Sequence, residues 1–395
     1  MSNQQQQPLI YAELLATLRQ VSLHITFPSP ITSSSTLHIS GPHLTLTHAS
    51  LKTTLLLPSA VRVPSSLPLA PGSLQAHFKL PLAPSFCPPV PVHAHPDAPW
   101  DSCDLHSAAG VFCRSCAAQV VPPGTVRVWK DLPSENWAEM MEFWHCHKPY
   151  VPVAAADEQE KKLAQRAYGA DATIAAQQGV GFVDLTSFLF AEDDVKNVQF
   201  AHPSPAPSPS STFARPAPVP IFCSSCSSRL GSHDAHHSSI VLFKWLVTTA
   251  SAVAPPSSTV CLAASLLAGM SRSGYAKSIL LPSARTISST NSSINSEENN
   301  ETLLFVWIMN PNTVYSASGA AHAQPAIRIM YKFIHRPEAL KMLNNAASDV
   351  HEVVWPREAI AEAVAALDRG FDLMPPEARS FQDWKVSMFD KWHRP

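Results

Sequence analysis

Glycine is scarce in this chain, at 12 of 395 residues. Loops that cradle phosphate with bare backbone are hard to build from so few. No glycine-rich phosphate loop, Walker-type lysine motif or GxSxG nucleophile elbow occurs, and no paired-carboxylate constellation stands out. An excess of one charge is missing too. The chain has 28 basic and 30 acidic residues, a formal net charge of -2. Nucleic-acid binders present a concentrated basic face, so no direct nucleic-acid partner is expected. No uninterrupted apolar run approaches the roughly 18 residues of a membrane helix. The opening MSNQQQQPLI lacks a basic segment followed by an apolar one, so no secretory signal is expected. The expected setting is cytoplasmic and/or nuclear, where the eight cysteines are reduced. In a reducing compartment, CxxC spacings read as metal ligands or redox pairs before they read as disulfides.

Proline is abundant, at 37 residues, and clustered. The stretch near 201–220, AHPSPAPSPSSTFARPAPVP, and the polar stretch near 288–301, SSTNSSINSEENNE, have little to bury and read as disordered insertions. The length allows one large domain or two ordinary ones. The expected division is a strand-rich N-terminal region over 1–110 and a zinc-binding domain over 111–395. Leu37 and Ile39 alternate with polar residues before Gly41-Pro42, and Leu44 and Leu46 alternate after it, which predicts a hairpin. Further short strands are expected at Leu55–Leu57, Val126–Trp129, Phe182–Phe190, Ile240–Val247, Leu303–Met309 and Ile327–Ile334. Ser134 can cap a helix with Trp137, Met140, Met141 and Trp144 on one face. A second helix is expected from Pro356, with Ile360, Val364 and Leu367 in its stripe and Gly370 as its stop. A last helix is expected around Phe381–Trp392. Many strands followed by C-terminal helices make the class α+β. No internal repeat is visible.

Two CxxC pairs carry the sharpest chemistry: Cys113-Arg-Ser-Cys116 and Cys223-Ser-Ser-Cys226. Each turn can aim two thiolates at one ion, and two such knuckles complete the four-sulfur site that structural Zn2+ favours. Each pair follows a phenylalanine, Phe112 or Phe222. More than 100 residues separate the pairs, so an ion here would tie distant parts of the chain together. Two unconnected pairs of buried thiols, or a redox pair, are the competing readings.

The run LPSENWAEMMEFWHCHKP, 132–149, ends in consecutive His145, Cys146 and His147. Cys146 reads as a buried thiol, as a metal ligand with a neighbouring histidine, or as a nucleophile. Helix C-terminal carbonyls disfavour a thiolate there, and protonated His145 or His147, or Lys148, favour one. Cys103 and His106 are further candidate ligands. Cys87 and Cys261 read as ordinary thiols. His233, His236 and His237 read as a solvated loop.

Taken together, CRSC at 113–116, the 132–149 block, and CSSC with Arg229-Leu230-Gly231 resemble the HECT-like family of ubiquitin ligases that bind ubiquitin-conjugating enzymes. LLFVWIMNP at 303–311, VVWP at 353–356 and LMPPEARSFQDWKVSMF at 373–389 fit as well. The resemblance covers Cys113 to about Trp392. It implies a ubiquitin ligase that binds a charged conjugating enzyme and promotes transfer of ubiquitin to substrate lysines. It places Cys146 and His147 at the family's WxCH position and matches Cys113, Cys116, Cys223 and Cys226 to its paired cysteines. It also implies, as substrates or partners, cyclin-type proteins or a subunit of the mRNA 3′-end cleavage machinery. True HECT ligases carry an acceptor cysteine near their C-terminus. Here no cysteine follows Cys261, so the bilobal HECT fold is not expected and a covalent route needs an earlier thiol. Cys146 is the best candidate, with His145 or His147 as base. The alternative is a non-catalytic zinc-stabilised scaffold, or a chaperone, for a conjugating enzyme or a processing subunit.

Overall fold

The computed structural model describes residues 7–84, 98–107, 109–132, 176–201, 218–234, 238–250, 254–283, 301–320, 322–345 and 348–393. The expected helix from Ser134, the His145-Cys146-His147 run, Cys87, and most of both expected insertions lie outside these residues. The described residues fall into two compact units. One is drawn from Met1–Asp97, Ser258–Ser283 and Thr290–His393, the other from Ala98–Ser257.

The first unit holds a nine-stranded and a four-stranded sheet. The predicted hairpin is present as Thr36–Ser40 and His43–His48, with Leu37 opposite Leu46 and Ile39 opposite Leu44. Gly41 supplies the positive φ, +60°, that this two-residue turn needs. The inward residues Leu37, Ile39, Leu44, Leu46 and Leu55 share one core with Ile10, Ala12, Val21, Leu23 and Ile25. The latter five are alternate residues of Leu9–Leu15 and Gln20–Thr26, neighbours in the larger sheet. Two sheets thus enclose one apolar layer. Each fully buried aliphatic side chain there contributes about 1.5–3 kcal/mol.

The larger sheet is organised by Thr302–Ala317, a strand of 16 residues. Its first half pairs with Lys277–Pro282 and its second with Leu9–Leu15. Register shifts against Gln324–His335 bracket Asn310-Pro311-Asn312. Pro311 has no N–H for the ladder, and the strand bends where pairing lapses.

The C-terminal segment differs from expectation. Around Phe381–Trp392 the chain is not a helix but strands Ser380–Phe381 and Trp384–Asp390, the latter paired with Gln324–His335. Trp384, Val386 and Met388 alternate onto one buried face, and two-residue periodicity wins over helix propensity. The helix after Pro356 is present as Arg357–Leu373 but runs through Gly370. Gly370 serves close packing instead, since a Cβ there would lie 2.5 Å from Ser387 Oγ. Helix Ser258–Ser273 buries Cys261 completely. Arg336–Leu343 completes three helices among the described residues. All three follow residue 257, and the other described residues are strand-rich. None is long and apolar enough to cross a membrane.

The second unit holds a seven-stranded sheet, in order Val128–Asp131, Val180–Val183, Ser187–Ala191, Ser239–Phe243, Arg229–Asp234, Val219–Cys223 and Val198–Phe200. A three-stranded sheet orders Val247–Thr249, Val111–Cys113 and Gln119–Val121. The expected strand Phe182–Phe190 is a hairpin, turned at Asp184, whose amide donates to the Ser187 carbonyl at 2.9 Å. Its aromatic residues still make the core: Phe188 lies 5.4 Å from Trp129 and 6.1 Å from Trp100, ring centre to ring centre.

Candidate metal centre

Each CxxC pair sits in the same local structure. Strand Val111–Cys113 ends at Cys113 and turns through Arg114-Ser115-Cys116. Ala117, at φ +58°, redirects the chain into Gln119–Val121. The Ala117 amide donates to the Cys113 carbonyl at 2.9 Å, and the Cys113 amide donates to the Ala118 carbonyl at 2.8 Å. In the second knuckle, Ser227 stands at φ +58°. Its amide donates to the Cys223 carbonyl at 2.8 Å, and the Cys223 amide donates to the Ser228 carbonyl at 2.8 Å. Register shifts fall at matching places, Val111/Phe112 and Ile221/Phe222. A left-handed non-glycine residue costs on the order of 1–3 kcal/mol, and both turns accept it at the same position.

The likeness extends beyond the knuckles into an approximate internal two-fold. Ser187–Ala191 and Ser239–Phe243 pair antiparallel about Leu189 and Val241. Each leads through a 3₁₀ turn, Glu192–Asp194 or Lys244–Leu246, into a short strand against the other half's knuckle. Val198 pairs with Cys223 just as Val247 pairs with Cys113. The Ser224 amide donates to the Asn197 carbonyl at 2.9 Å, and the Arg114 amide donates to the Leu246 carbonyl at 3.1 Å. The sequence shows no repeat because outside CxxC, the preceding phenylalanine, Ser187/Ser239 and Val198/Val247 most equivalent side chains differ.

This exchange brings the four sulfurs together. All lie within 4.8 Å of one another. Cys113 Sγ is 3.7 Å from Cys226 Sγ, and Cys116 Sγ is 3.6 Å from Cys223 Sγ. A tetrahedral ion with metal–sulfur bonds of about 2.3 Å has sulfur–sulfur edges of about 3.8 Å. The four cysteines could therefore hold one tetrahedral metal ion. Two unconnected thiol pairs do not describe this arrangement. Cys113 and Cys223 are buried; Cys116 and Cys226 are exposed. The thiols polarise one another. The Ser228 hydroxyl and amide, then the Cys116 thiol, pull Cys226 down to about 6. The Ala118 amide favours the Cys116 thiolate, but hydrogen bonding to the thiols of Cys226, Cys223 and Cys113, with partial desolvation, pushes that thiol up to about 12. Burial raises Cys113. Four thiolates this close need a cation to be ionised together.

Arg114 carries no signal in the sequence beyond its place inside a CxxC. Its Nη1 donates to the carbonyls of Trp245 at 3.0 Å and Pro256 at 2.9 Å, bracing the first knuckle. Arg114→Ala is expected to leave the four sulfurs in place but weaken metal retention about 10-fold, the lower end for lost outer supports. Competition against a graded chelator series checks this.

Among the described residues, the four cysteines are the one group of three or more ligand side chains close enough to share an ion. Cys103 is exposed in the 3₁₀ turn Ser102–Asp104 and outside that group, as is His106. His233 belongs to strand Arg229–Asp234, not to a loop, and meets Phe200 edge-on at 4.8 Å. His236 and His237 lie outside the described residues.

The comparisons with known proteins bear on the whole chain. An uncharacterized protein of Schizosaccharomyces pombe is 35% identical over 71 residues, 17% of this chain and 20% of that protein. An uncharacterized protein of Saccharomyces cerevisiae is 38% identical over 58 residues, 14% of this chain and 17% of that protein. The matched stretch is thus about a fifth of the length of each of these relatives. No solved structure matches. The model of the family described as HECT-like ubiquitin-conjugating enzyme (E2)-binding matches residues 13–386, a match that starts well before the motif-bearing part at Cys113. The chain belongs to the HECT-like ubiquitin-conjugating enzyme (E2)-binding family.

Proposed function

We propose that this protein is a ubiquitin ligase. It binds a ubiquitin-charged conjugating enzyme and promotes transfer of ubiquitin to substrate lysines. The observation that carries this reading is the family match, which runs through nearly the whole chain and is defined by binding of conjugating enzymes. The metal is Zn2+, in a structural role. Four sulfurs within 4.8 Å of one another, two of the pairs near the tetrahedral edge length, would fill its coordination and leave no position for a reacting water. Its residues hold and orient; they take no part in ubiquitin transfer. The protein works in a reducing compartment, cytoplasm or nucleus.

Transfer itself is assigned to Cys146. Its thiolate attacks the thioester carbonyl, the conjugating enzyme's thiolate leaves, and ubiquitin is held on Cys146. A lysine amine then attacks, His147 or His145 takes its proton, and the Cys146 thiolate leaves. Two other thiols outside the metal cluster are described. Cys261 is wholly buried, which disfavours it as an acceptor, whereas Cys103 is exposed and serves as the control.

The test is single-turnover discharge of a charged conjugating enzyme by wild type, Cys146→Ala and Cys103→Ala. A reductant-sensitive ubiquitin adduct is expected on wild type and Cys103→Ala and not on Cys146→Ala, with discharge slowed at least 10-fold in that variant. Equal discharge by all three would keep the ligase and remove the covalent step. No acceleration by any of them, with binding intact, would leave a scaffold.

A further inference from the structure

We propose that the four-cysteine cluster is also an oxidation site, at which a peroxide-class oxidant forms two disulfides that cross between the knuckles, Cys113–Cys226 and Cys116–Cys223. The metal then leaves, and the two halves of the unit stay covalently joined. Release of the ion rests on the zinc reading; the pairing rests on the sulfur positions alone.

Three observations carry it. First, each knuckle has one exposed cysteine, Cys116 or Cys226, and one buried cysteine. An oxidant arriving from solvent meets these two first. Second, the thiol–thiol contacts at 3.7 and 3.6 Å both run from an exposed sulfur of one knuckle to the buried sulfur of the other. Each pair must close by about 1.6 Å to reach a disulfide bond of about 2.05 Å. The internal two-fold exchanges one pair with the other, so both bonds form by the same motion. Third, Cys113 and Cys223 each end a strand, and those strands belong to different sheets. Cross-knuckle bonds replace the link between these sheets that the ion supplies. Bonds within a knuckle would sever it.

The chemistry balances. An exposed thiolate attacks a peroxide oxygen, the O–O bond breaks, and sulfenic acid and hydroxide form. The buried sulfur opposite attacks that sulfenic sulfur, the S–O bond breaks, and hydroxide leaves as the S–S bond forms. Each pair of sulfurs loses two electrons to one peroxide. Two peroxides consume the four thiolates, solvent protons complete four waters, and the ion loses its ligands.

The experiment treats the full metal-loaded chain with graded hydrogen peroxide. Released zinc is read with a chromogenic chelator, and disulfides are mapped after alkylation and non-reducing tryptic digestion. Cleavage after Arg114 separates Cys113 from Cys116, whereas no cleavage site separates Cys223 from Cys226. The cross-knuckle pairing therefore ties three tryptic peptides into one reducible species, with one zinc released per two peroxides consumed. Fragmentation of that species between Cys223 and Cys226 is expected to leave the Cys113 peptide on Cys226 and the Cys116 peptide on Cys223; the reverse attachment would overturn the pairing. A species joining only the Cys113 and Cys116 peptides, or irreversible sulfinic and sulfonic products without disulfide, would overturn the proposal. Protein that contains no zinc before treatment defeats the metal reading, and the peptide map still decides the pairing.

Discussion

Cys113→Ser is expected to abolish metal binding and to destabilise the unit drawn from Ala98–Ser257 by about 3–5 kcal/mol. Cys113 is buried at the end of its strand and contacts Cys226 at 3.7 Å, so its sulfur is one full corner of the site. A serine hydroxyl is a poor replacement for a thiolate on a soft ion. Structural zinc in small fingers contributes about 10–16 kcal/mol of apparent binding energy. Only part of that is at stake here, because this unit has its own aromatic core around Phe188, Trp100 and Trp129. Metal analysis should give about one zinc per wild-type chain. Chelation should lower the melting temperature of wild type and leave Cys113→Ser, already low, unchanged. Cys103→Ser, outside the cluster, should behave as wild type. Wild-type protein that is metal-free and as stable as the loaded form would remove the site.

Gly231→Ala is expected to be nearly as damaging, for a purely steric reason. Gly231 pairs with Leu242 across the two strands that lead from the second knuckle to the internal two-fold. A Cβ at this position would lie 1.8 Å from the Val241 carbonyl oxygen and 3.0 Å from Leu242 Cα. Both obstacles are backbone, so no side-chain rotation relieves them and the sheet must open. Forced overpacking of this kind costs about 3 kcal/mol or more. Gly124→Ala is the matched control. It has a left-handed φ of +80° with nothing within 4 Å of an added Cβ, so only conformational strain of about 1 kcal/mol applies. Urea midpoints of the two variants should separate clearly. Equal midpoints would mean that the Arg229–Asp234 and Ser239–Phe243 strands do not approach as closely as described.

The same glycine shows how far the sequence could be read. Arg229-Leu230-Gly231 stands out as part of a family pattern, but only the paired strand supplies the reason for its glycine. The knuckles were legible because tetrahedral thiolate sites impose a short-range rule, two cysteines per tight turn. Their meeting across more than 100 residues follows from strand exchange, which no local pattern encodes. The hairpin around Gly41-Pro42 was legible from two-residue alternation alone. Trp384–Asp390 alternates too, but its aromatic and methionine residues also fit a helical stripe. The partner strand Gln324–His335 decides between them. Gly370 reads as a stop in the sequence because a helix-ending glycine and a close-packing glycine look alike until Ser387 is placed against it. Helix Ser258–Ser273 carries little helical signal in the sequence because it is rich in serine and alanine and lacks a charged face.

The most direct test is equilibrium binding of the full, metal-loaded chain to a panel of ubiquitin-conjugating enzymes, each with and without ubiquitin held through a stable linkage. The account predicts saturable binding to at least one member, tighter when ubiquitin is attached, and weakened in Gly231→Ala only as far as folding is lost. No saturable binding to any member of a broad panel, by protein that is folded and carries its metal, would contradict it.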